Sequence, residues 1–155
     1  MRVTESSLTG LQIAACTGQH RGDRSEQQDR VAVLQGRQAQ RCALGVLADG
    51  LGGRSGGALA AENVILTAQN CFDRFAPSVE SPAHFFGNLV DEVHAVLKLT
   101  ALATDKEPHS TFASVLVQPD RVDWCHVGDS RIYHFRGAEL QHCTSDHTYA
   151  WQLVT

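Results

Sequence analysis

Four aspartates of this 155-residue chain stand beside apolar runs, where loops meet the ends of strands. They are Asp29, Asp49, Asp129 and Asp146. Taken singly, each is typical of a turn or a helix cap. Three of the four lie in loops of the kind that surround one end of a sheet, and carboxylates gathered there would repel one another. Divalent cations relieve that repulsion, and oxygen-only ligands favour Mg²⁺ or Mn²⁺ over zinc.

A glycine-rich segment follows Asp49 and is the second chemical feature. Residues 44–62 read LGVLADGLGGRSGGALAAE, with five glycines among residues 50–57. A backbone with so few side chains does not obstruct a bound metal ion or phosphate. The same pattern is also typical of a plain strand-to-helix turn. A nucleotide-binding loop is disfavoured, because the run that starts at Gly50 has Ser55 in place of its last glycine and no lysine follows.

Composition narrows the class of protein. The length predicts one domain over residues 1–155. A formal net charge of −4, without a cluster of lysines and arginines, argues against nucleic acid and anionic membranes as partners. Five cysteines without a CxxC pair argue against a disulfide framework and a structural zinc site, and they indicate a reducing compartment. With no signal-peptide pattern and no run of roughly 18 apolar residues, the sequence predicts a soluble cytoplasmic protein.

Hydrophobic periodicity predicts two blocks of strands around a pair of helices. The predicted strands are Leu11–Thr17, Arg30–Leu34, Arg41–Ala48, Thr111–Val117, Val122–Val127, Arg131–Phe135 and Glu139–Cys143. The predicted helices are Gly57–Phe72 and Pro82–Ala103, and Ser81 is expected to cap the second. Because the connections between strands are short, the strands must be antiparallel neighbours. This order favours an α+β layered sandwich over a parallel sheet.

Four segments together resemble the successive motifs of a known family. They are GDRSEQQDR (22–30), ADGLGG (48–53), STFAS (110–114) and HVGDSRIYHFRGAELQHCTSDHT (126–148). In order and spacing they are similar to the motifs of the metal-dependent protein phosphatases of the PPM type, or phosphatase 2C, above all its compact bacterial members. The resemblance extends over residues 11–155. It implies a phosphatase 2C-like α-β-β-α sandwich, in which helices flank two antiparallel sheets and a two-metal site lies in the cleft at one end.

The resemblance assigns roles to five residues. Asp49 matches a catalytic carboxylate that bridges both metal ions, and the carbonyl oxygen of Gly50 matches a ligand of one of them. Asp129 matches the ligand of a third, weaker ion in bacterial members. Asp29 matches a catalytic carboxylate that hydrogen-bonds metal-bound water, and Arg24 matches the arginine that holds the substrate phosphate. The residue types suit these roles. The two oxygens of a carboxylate can bind two metal ions, and the backbone carbonyl of a glycine is not shielded by a side chain. A guanidinium can donate two parallel hydrogen bonds to phosphate oxygens.

The implied reaction is metal-dependent hydrolysis of phosphoserine and phosphothreonine in proteins. Two Mn²⁺ or Mg²⁺ ions, or three where the weaker site is filled, would acidify a water molecule so that hydroxide displaces the phosphoryl group directly. No protein nucleophile is then required. The implied partners are phosphoprotein substrates, and such phosphatases often oppose a cellular Ser/Thr kinase.

The chain departs from the family's pattern beside these residues. Gln27 replaces the usual asparagine, and Gln28 replaces a frequent glutamate, although its amide can still hydrogen-bond a metal-bound water. Leu51 stands where animal members carry a histidine proposed as a general acid, so protonation of the leaving group falls to water or another group. The TSDHT segment matches a structural TxDH corner, in which we expect Asp146 to cap a helix over Thr148–Leu153.

The later motifs of the family divide the functional hypotheses. The family continues with a flap segment and with S-D-G and D-N motifs, which supply two further metal-binding aspartates and do not occur before Thr155. We therefore expect the chain to hold the N-terminal two thirds of the domain, without its C-terminal third. One hypothesis is a phosphatase whose turnover is impaired in this chain alone. The other is a catalytically inactive, phosphatase-like module that binds a phosphorylated or regulatory partner. In both cases we expect an unpaired sheet edge that promotes self-association.

Overall fold

The computed structural model describes residues 2–8, 11–51 and 56–147, with side chains from residue 13 onward. Within these ranges, two helices separate four strands from five. In chain order the elements are β1 (Arg2–Leu8), β2 (Leu11–Thr17), β3 (Asp29–Leu34), β4 (Ala43–Leu51), α1 (Gly56–Arg74), α2 (Pro82–Ala103), β5 (His109–Ser110), β6 (Phe112–Val117), β7 (Val122–Val127), β8 (Tyr133–Arg136) and β9 (Glu139–Cys143). The order agrees with the predicted α+β class.

All the strand pairs of the described residues are antiparallel. The strands β3, β4, β6 and β7 hydrogen-bond in that order, and the two-residue β5 pairs with the end of β4. Two further ribbons are formed by β1 with β2 and by β8 with β9. The predicted architecture of antiparallel sheets and flanking helices is therefore confirmed.

The strand boundaries shift from the predicted ones for local reasons. The strand β4 continues past Ala48, because Gly50 and Leu51 pair with β5. The strand β8 begins at Tyr133 instead of Arg131. The N–H of Ile132 donates to the side-chain hydroxyl of Thr144, and its carbonyl accepts from the N–H of Thr144. The short β5 and the N-terminal β1 have no counterpart in the sequence-based prediction, whereas β2 matches its predicted span.

The two helices form a layer on one face of the five-stranded sheet. Glycines and alanines on the buried side of α1 allow its backbone to approach β4 closely. At the far end of the helix pair, four rings pack with centroid distances of 4.7 to 6.0 Å, and they belong to Phe72, Phe75, Phe85 and Phe86. Neither helix within the described ranges is long and apolar enough to span a membrane.

The boundaries of α2 are those that the sequence predicts. The hydroxyl of Ser81 accepts a hydrogen bond from the backbone N–H of His84 at 3.2 Å, and Pro82 opens the helix. A proline suits this position, because the first N–H groups of a helix have no partner within it. The prediction of the Ser81 cap is confirmed.

Alternation along β4 determines which way Asp49 points. Leu44, Val46 and Ala48 are buried against the helix layer. Successive side chains of a strand point to opposite faces, so Leu47 and Asp49 point away from the helices. Asp49 also lies near the end of β4, which places its carboxylate at one end of the sheet.

Candidate active site

Two of the predicted carboxylates face each other across neighbouring strands. Asp29 is the first residue of β3, and the strand register sets it directly opposite Asp49 on β4. Side chains at such positions lie on one face and within contact distance. Burial of Asp49 raises the pKa of its carboxyl, and the neighbouring Asp29, which shares a hydrogen bond with it, raises this pKa further. The Nε2 of Gln27 donates to Oδ2 of Asp29 at 3.1 Å.

Asp129 and Arg24 approach the same pair. The charge of Asp129 adds to the rise in the pKa of Asp49, and the charge of Arg24 opposes it. Both groups therefore lie within electrostatic range of Asp49, although they come from a late strand turn and from the loop before β3. Four of the charged residues that the sequence selected, Asp29, Asp49, Asp129 and Arg24, therefore interact electrostatically at this end of the sheet.

The loop that carries Arg24 is tied to β3. The Nε2 of Gln19 donates to the backbone carbonyl of Asp29 at 2.8 Å. The backbone N–H of Gly22 donates to Nδ1 of His20 at 3.0 Å, and Gly22 has a φ of 61°, a backbone conformation that glycine adopts freely. The contact from Gln19 joins this loop to the first residue of β3, and the charge of Arg24 acts on the carboxyl of Asp49.

The backbone of Asp49 is held by two hydroxyl residues that sequence reasoning did not select. The N–H of Asp49 donates to Oγ1 of Thr111 at 3.1 Å, and its carbonyl accepts from the Thr111 N–H at 2.9 Å. The same carbonyl accepts from the hydroxyl of Ser110 at 3.1 Å. The STFAS motif, residues 110–114, was the signal that could have identified both residues.

Thr111 also joins Asp49 to the turn that carries Asp129. Its Oγ1 lies 2.6 Å from the hydroxyl of Ser130. Gly128 has a φ of 104°, and a Cβ there would lie 2.8 Å from the methyl of Thr111. The turn therefore needs glycine for both its conformation and its contact with Thr111. One threonine fixes the two ends of the site relative to each other.

The TxDH corner supports the same turn from the other side. Both carboxylate oxygens of Asp146 accept from the guanidinium of Arg131, at 2.7 and 2.8 Å, and the hydrogen bonds from Arg131 lower the pKa of Asp146. The N–H of His147 donates to the carbonyl of Gly128 at 2.8 Å. Asp146 was expected to cap a helix over residues 148–153, which lie outside the described residues. The cap therefore stays a prediction, and within the described residues the carboxylate of Asp146 is bonded to Arg131.

Close packing of Gly50 against Gly57 fixes the position of the Gly50 carbonyl group. A Cβ on Gly57 would lie 2.6 Å from that carbonyl oxygen and 2.8 Å from the amide oxygen of Gln28. The N–H of Gly50 donates to the backbone carbonyl of Gln28 at 3.3 Å. The side-chain amide of Gln28 is thus directed toward the first turn of α1, at the edge of the site.

The oxygen atoms at this end of the sheet provide some of the ligands that a hard divalent cation needs. The carboxylates of Asp29, Asp49 and Asp129 and the carbonyl of Gly50 are oxygen donors, and mutual crowding of carboxylates is a condition that a cation relieves. Within the described ranges, however, no three residues of His, Cys, Asp and Glu form a group that could hold a metal ion. These residues therefore offer part of a coordination shell.

Comparison with known proteins identifies the family. The model of the protein phosphatase 2C family matches residues 17–154, and the chain belongs to this family. The serine/threonine protein phosphatase PstP of Mycobacterium tuberculosis is 31% identical over 113 residues, which cover 70% of this chain and 21% of the length of PstP. The chain thus corresponds to a minor part of that relative.

Solved structures share the fold over nearly the whole chain. The catalytic domain of PstP in complex with two manganese ions superposes with a TM-score of 0.68 and 25% identity, over 99% of this chain and 57% of that domain. Stp1, a serine/threonine phosphatase of Staphylococcus aureus, gives a TM-score of 0.72 and 23% identity, over 99% of this chain and 56% of Stp1. Both comparisons cover little more than half of the relative.

Proposed function

We propose that the complete protein hydrolyses phosphoserine and phosphothreonine in other proteins, in a reaction that requires Mn²⁺ or Mg²⁺. The observation that carries the proposal is the opposition of Asp29 and Asp49 across β3 and β4, with Asp129 and Arg24 within electrostatic range. Membership of the phosphatase 2C family supports it. The relative PstP is itself named a serine/threonine protein phosphatase.

Two divalent cations, with a third at a weaker position, suit the oxygen donors at this end of the sheet. The carboxylate of Asp49 would bridge two of them, the carbonyl of Gly50 would bind one of these, and Asp129 would bind the third. The chemistry that such ions supply when bound is acidification of water and neutralisation of phosphoryl charge. The two manganese ions in the PstP complex support Mn²⁺ as the cofactor here.

The side chains of the chain position the reactants. Arg24 would hold two phosphate oxygens with its planar set of donors and so direct the phosphorus toward the aspartate pair. Asp29 would accept a hydrogen bond from the attacking water and orient it. Gln27 would hold the Asp29 carboxylate through the 3.1 Å hydrogen bond. Gln28 would contact a metal through a water molecule, and no side chain would act as a nucleophile.

The 155-residue chain alone is proposed to turn over slowly or not at all. Its described residues lack a group of three metal-binding side chains, and each hard cation needs several oxygen ligands. The same observation favours a second candidate function, a phosphatase-like module that binds a phosphorylated or regulatory partner without turnover. Full metal-dependent activity of the 155-residue chain would contradict the proposal of impaired turnover.

The biological setting is proposed from the family and from the composition of the chain. Residues 1–155 would form part of one phosphatase domain that acts in the cytoplasm on phosphoprotein substrates and opposes a Ser/Thr kinase. The chain would also self-associate through strands and apolar surface that the helix layer leaves uncovered.

The proposed activity is tested with Asp49→Asn in the complete protein, with p-nitrophenyl phosphate and Mn²⁺. We expect the rate to fall about a hundredfold or more, since loss of a partner outside the ligand shell already costs roughly ten- to a hundredfold. The matched control is Asp105→Asn, which alters an exposed carboxylate in the loop after α2 and should leave the rate unchanged. Equal rates for wild type and Asp49→Asn would show that the role assigned to Asp49 is wrong.

A further inference from the structure

Thr111 lies between the two parts of the chain that carry Asp49 and Asp129. The register of β4 with β5 and β6 places Thr111 directly opposite Asp49. Continued by one residue, the register of β6 with β7 places it opposite Gly128, the residue before Asp129. Contacts of this one side chain therefore reach both ends of the candidate site.

The side chain of Thr111 interrupts the hydrogen-bond ladder along β4. In a regular antiparallel ladder, two facing residues of a hydrogen-bonded pair exchange both backbone bonds. Here the N–H of Thr111 donates to the carbonyl of Asp49 at 2.9 Å, but the N–H of Asp49 donates to Oγ1 of Thr111 at 3.1 Å. A hydroxyl thus stands where a regular ladder has a backbone carbonyl.

A hydroxyl in this position can form a second link, because it can donate and accept at the same time. Oγ1 of Thr111 accepts from Asp49 and lies 2.6 Å from the hydroxyl of Ser130. The methyl group of Thr111 packs against Gly128, where a Cβ would lie only 2.8 Å from it. Thr111 is 3% exposed, so water does not compete for these contacts.

We propose that Thr111 is a positioning residue of the phosphatase site, whose hydroxyl holds Asp49 and the Asp129 turn at one separation and so prepares their oxygen atoms for divalent cations. The proposal rests on the proposed phosphatase function and identifies the residue that aligns the two ends of its site. Thr111 itself touches neither a cation nor the substrate phosphate.

The carboxylates need such a support because their charges repel each other. The charge of Asp129 acts on the carboxyl of Asp49, and like charges move apart unless the backbone that carries them is fixed. Residues that orient metal ligands from outside the ligand shell typically change metal affinity by about ten- to a hundredfold when they are removed. Loss of the Thr111 hydroxyl should therefore weaken metal binding.

The test measures binding of Mn²⁺ to the complete protein from the electron paramagnetic resonance signal of free Mn²⁺, which does not depend on turnover. Thr111→Val keeps the shape of the side chain but leaves the N–H of Asp49 without its acceptor. We expect the Mn²⁺ affinity to fall about tenfold, at the lower end of the usual range, because the N–H of Thr111 still bonds Asp49. Thr111→Ser keeps the hydroxyl and should restore the affinity. Equal affinities of wild type and Thr111→Val would overturn the proposal.

The matched control is Ser114→Ala, which removes a second buried hydroxyl that bonds β4. The hydroxyl of Ser114 donates to the carbonyl of Gly45 at 3.0 Å, four residues before Asp49. We expect Ser114→Ala to unfold at lower urea concentration, as Thr111→Val does, but to retain the wild-type affinity for Mn²⁺. An equal loss of affinity in both variants would overturn the proposal, because the effect would then be one of general stability.

A double-mutant cycle with Ser130→Ala tests the link to the Asp129 turn. Ser130→Ala leaves the bond between Thr111 and Asp49 in place, so it should lower the Mn²⁺ affinity less than Thr111→Val does. Once valine replaces Thr111, the hydroxyl of Ser130 has no partner there to lose, and the double variant should bind Mn²⁺ as Thr111→Val does. Losses that add in full would contradict a single link through the two hydroxyls.

Hydrolysis of p-nitrophenyl phosphate by the same complete proteins separates this proposal from the proposed function. If the wild type hydrolyses it and Thr111→Val binds Mn²⁺ as tightly as wild type, the positioning role is wrong and the proposed function stands. If the Mn²⁺ affinity depends on the Thr111 hydroxyl and the wild type shows no hydrolysis, the positioning role stands and the proposed function is wrong. A complete wild-type protein that binds no Mn²⁺ would overturn both.

Discussion

At the scale of single residues, the site depends on uncharged hydroxyls as much as on carboxylates. Thr111 binds both backbone groups of Asp49 and also meets Ser130, one residue from Asp129. A hydroxyl can donate and accept at once, so it joins two elements without adding charge to a site already crowded with carboxylates. Thr111 lies 62 residues from Asp49 in sequence, which is why spacing alone could not connect them.

The pair of Arg131 and Asp146 gives a prediction for the pH dependence of stability. The hydrogen bonds from Arg131 lower the pKa of Asp146 in the folded protein. A carboxyl with a lowered folded pKa stabilises the fold fully above its ordinary pKa of about 3.9, and this contribution is lost as the pH falls through the folded pKa. We expect Asp146→Asn to unfold at lower urea concentration than wild type at pH 7, and the difference to shrink steadily below about pH 4.

The control for this prediction is Asp105→Asn, at an exposed aspartate outside the ion pairs of the described residues. Urea titrations of all three proteins over the same pH series make the comparison. A difference between wild type and Asp146→Asn that stays constant from neutral to acidic pH would contradict the role given to the Arg131 pair.

At the scale of elements, the contact between the end of β4 and the first turn of α1 decides how closely the helix approaches the site. Gly50 and Gly57 meet backbone to backbone, and a Cβ on either residue would lie within 3 Å of the other's carbonyl oxygen. The glycine-rich segment therefore serves packing as well as ligand access. Side chains at these two positions would push α1 away from β4.

Gly57→Ala tests this contact. The added Cβ would meet the carbonyl oxygen of Gly50, which belongs to a paired strand and cannot move aside freely, so we expect a loss of about 1–3 kcal/mol in the free energy of unfolding. The matched control is Gly87→Ala on the exposed side of α2, where a Cβ meets nothing within 4 Å. That substitution should stabilise the protein by about 0.5–1 kcal/mol. Chemical denaturation measures both, and a neutral Gly57→Ala would contradict the close packing.

The sequence predicted most elements because their signals are local. The apolar stripe and cap of α2 gave both of its ends, and β2 was predicted at its observed bounds. The two-residue β5 has no periodicity of its own and forms only because β4 lies beside it. The gathering of three carboxylates at one end of a sheet was expected from their positions in loops, and the resemblance to the family added Arg24 to them. Their catalytic and metal-binding roles remain predictions.

At the scale of the whole molecule, the helices of the described residues cover one face of the five-stranded sheet. On the other face, the residues alternate with the buried ones of the core and include Leu47, Val122 and Trp124, which are 38%, 51% and 37% exposed. The ring of Trp124 is contacted from the β8–β9 ribbon by His142, at a centroid distance of 5.2 Å. The ribbon thus covers part of the face, and apolar surface remains beside the edge strand β7.

Self-association of the 155-residue chain should occur through this surface. Apolar side chains next to an unpaired strand favour edge-to-edge pairing between copies. We expect the sedimentation coefficient of the wild-type chain to rise with concentration, and Val122→Lys on β7 to reduce that rise, since a lysine at a sheet edge opposes pairing. The matched control, Val79→Lys, places the same charge at a more exposed valine in the loop between the helices and should not reduce it. A wild-type chain that sediments as a monomer at every concentration would contradict the prediction, as would equal effects of the two substitutions.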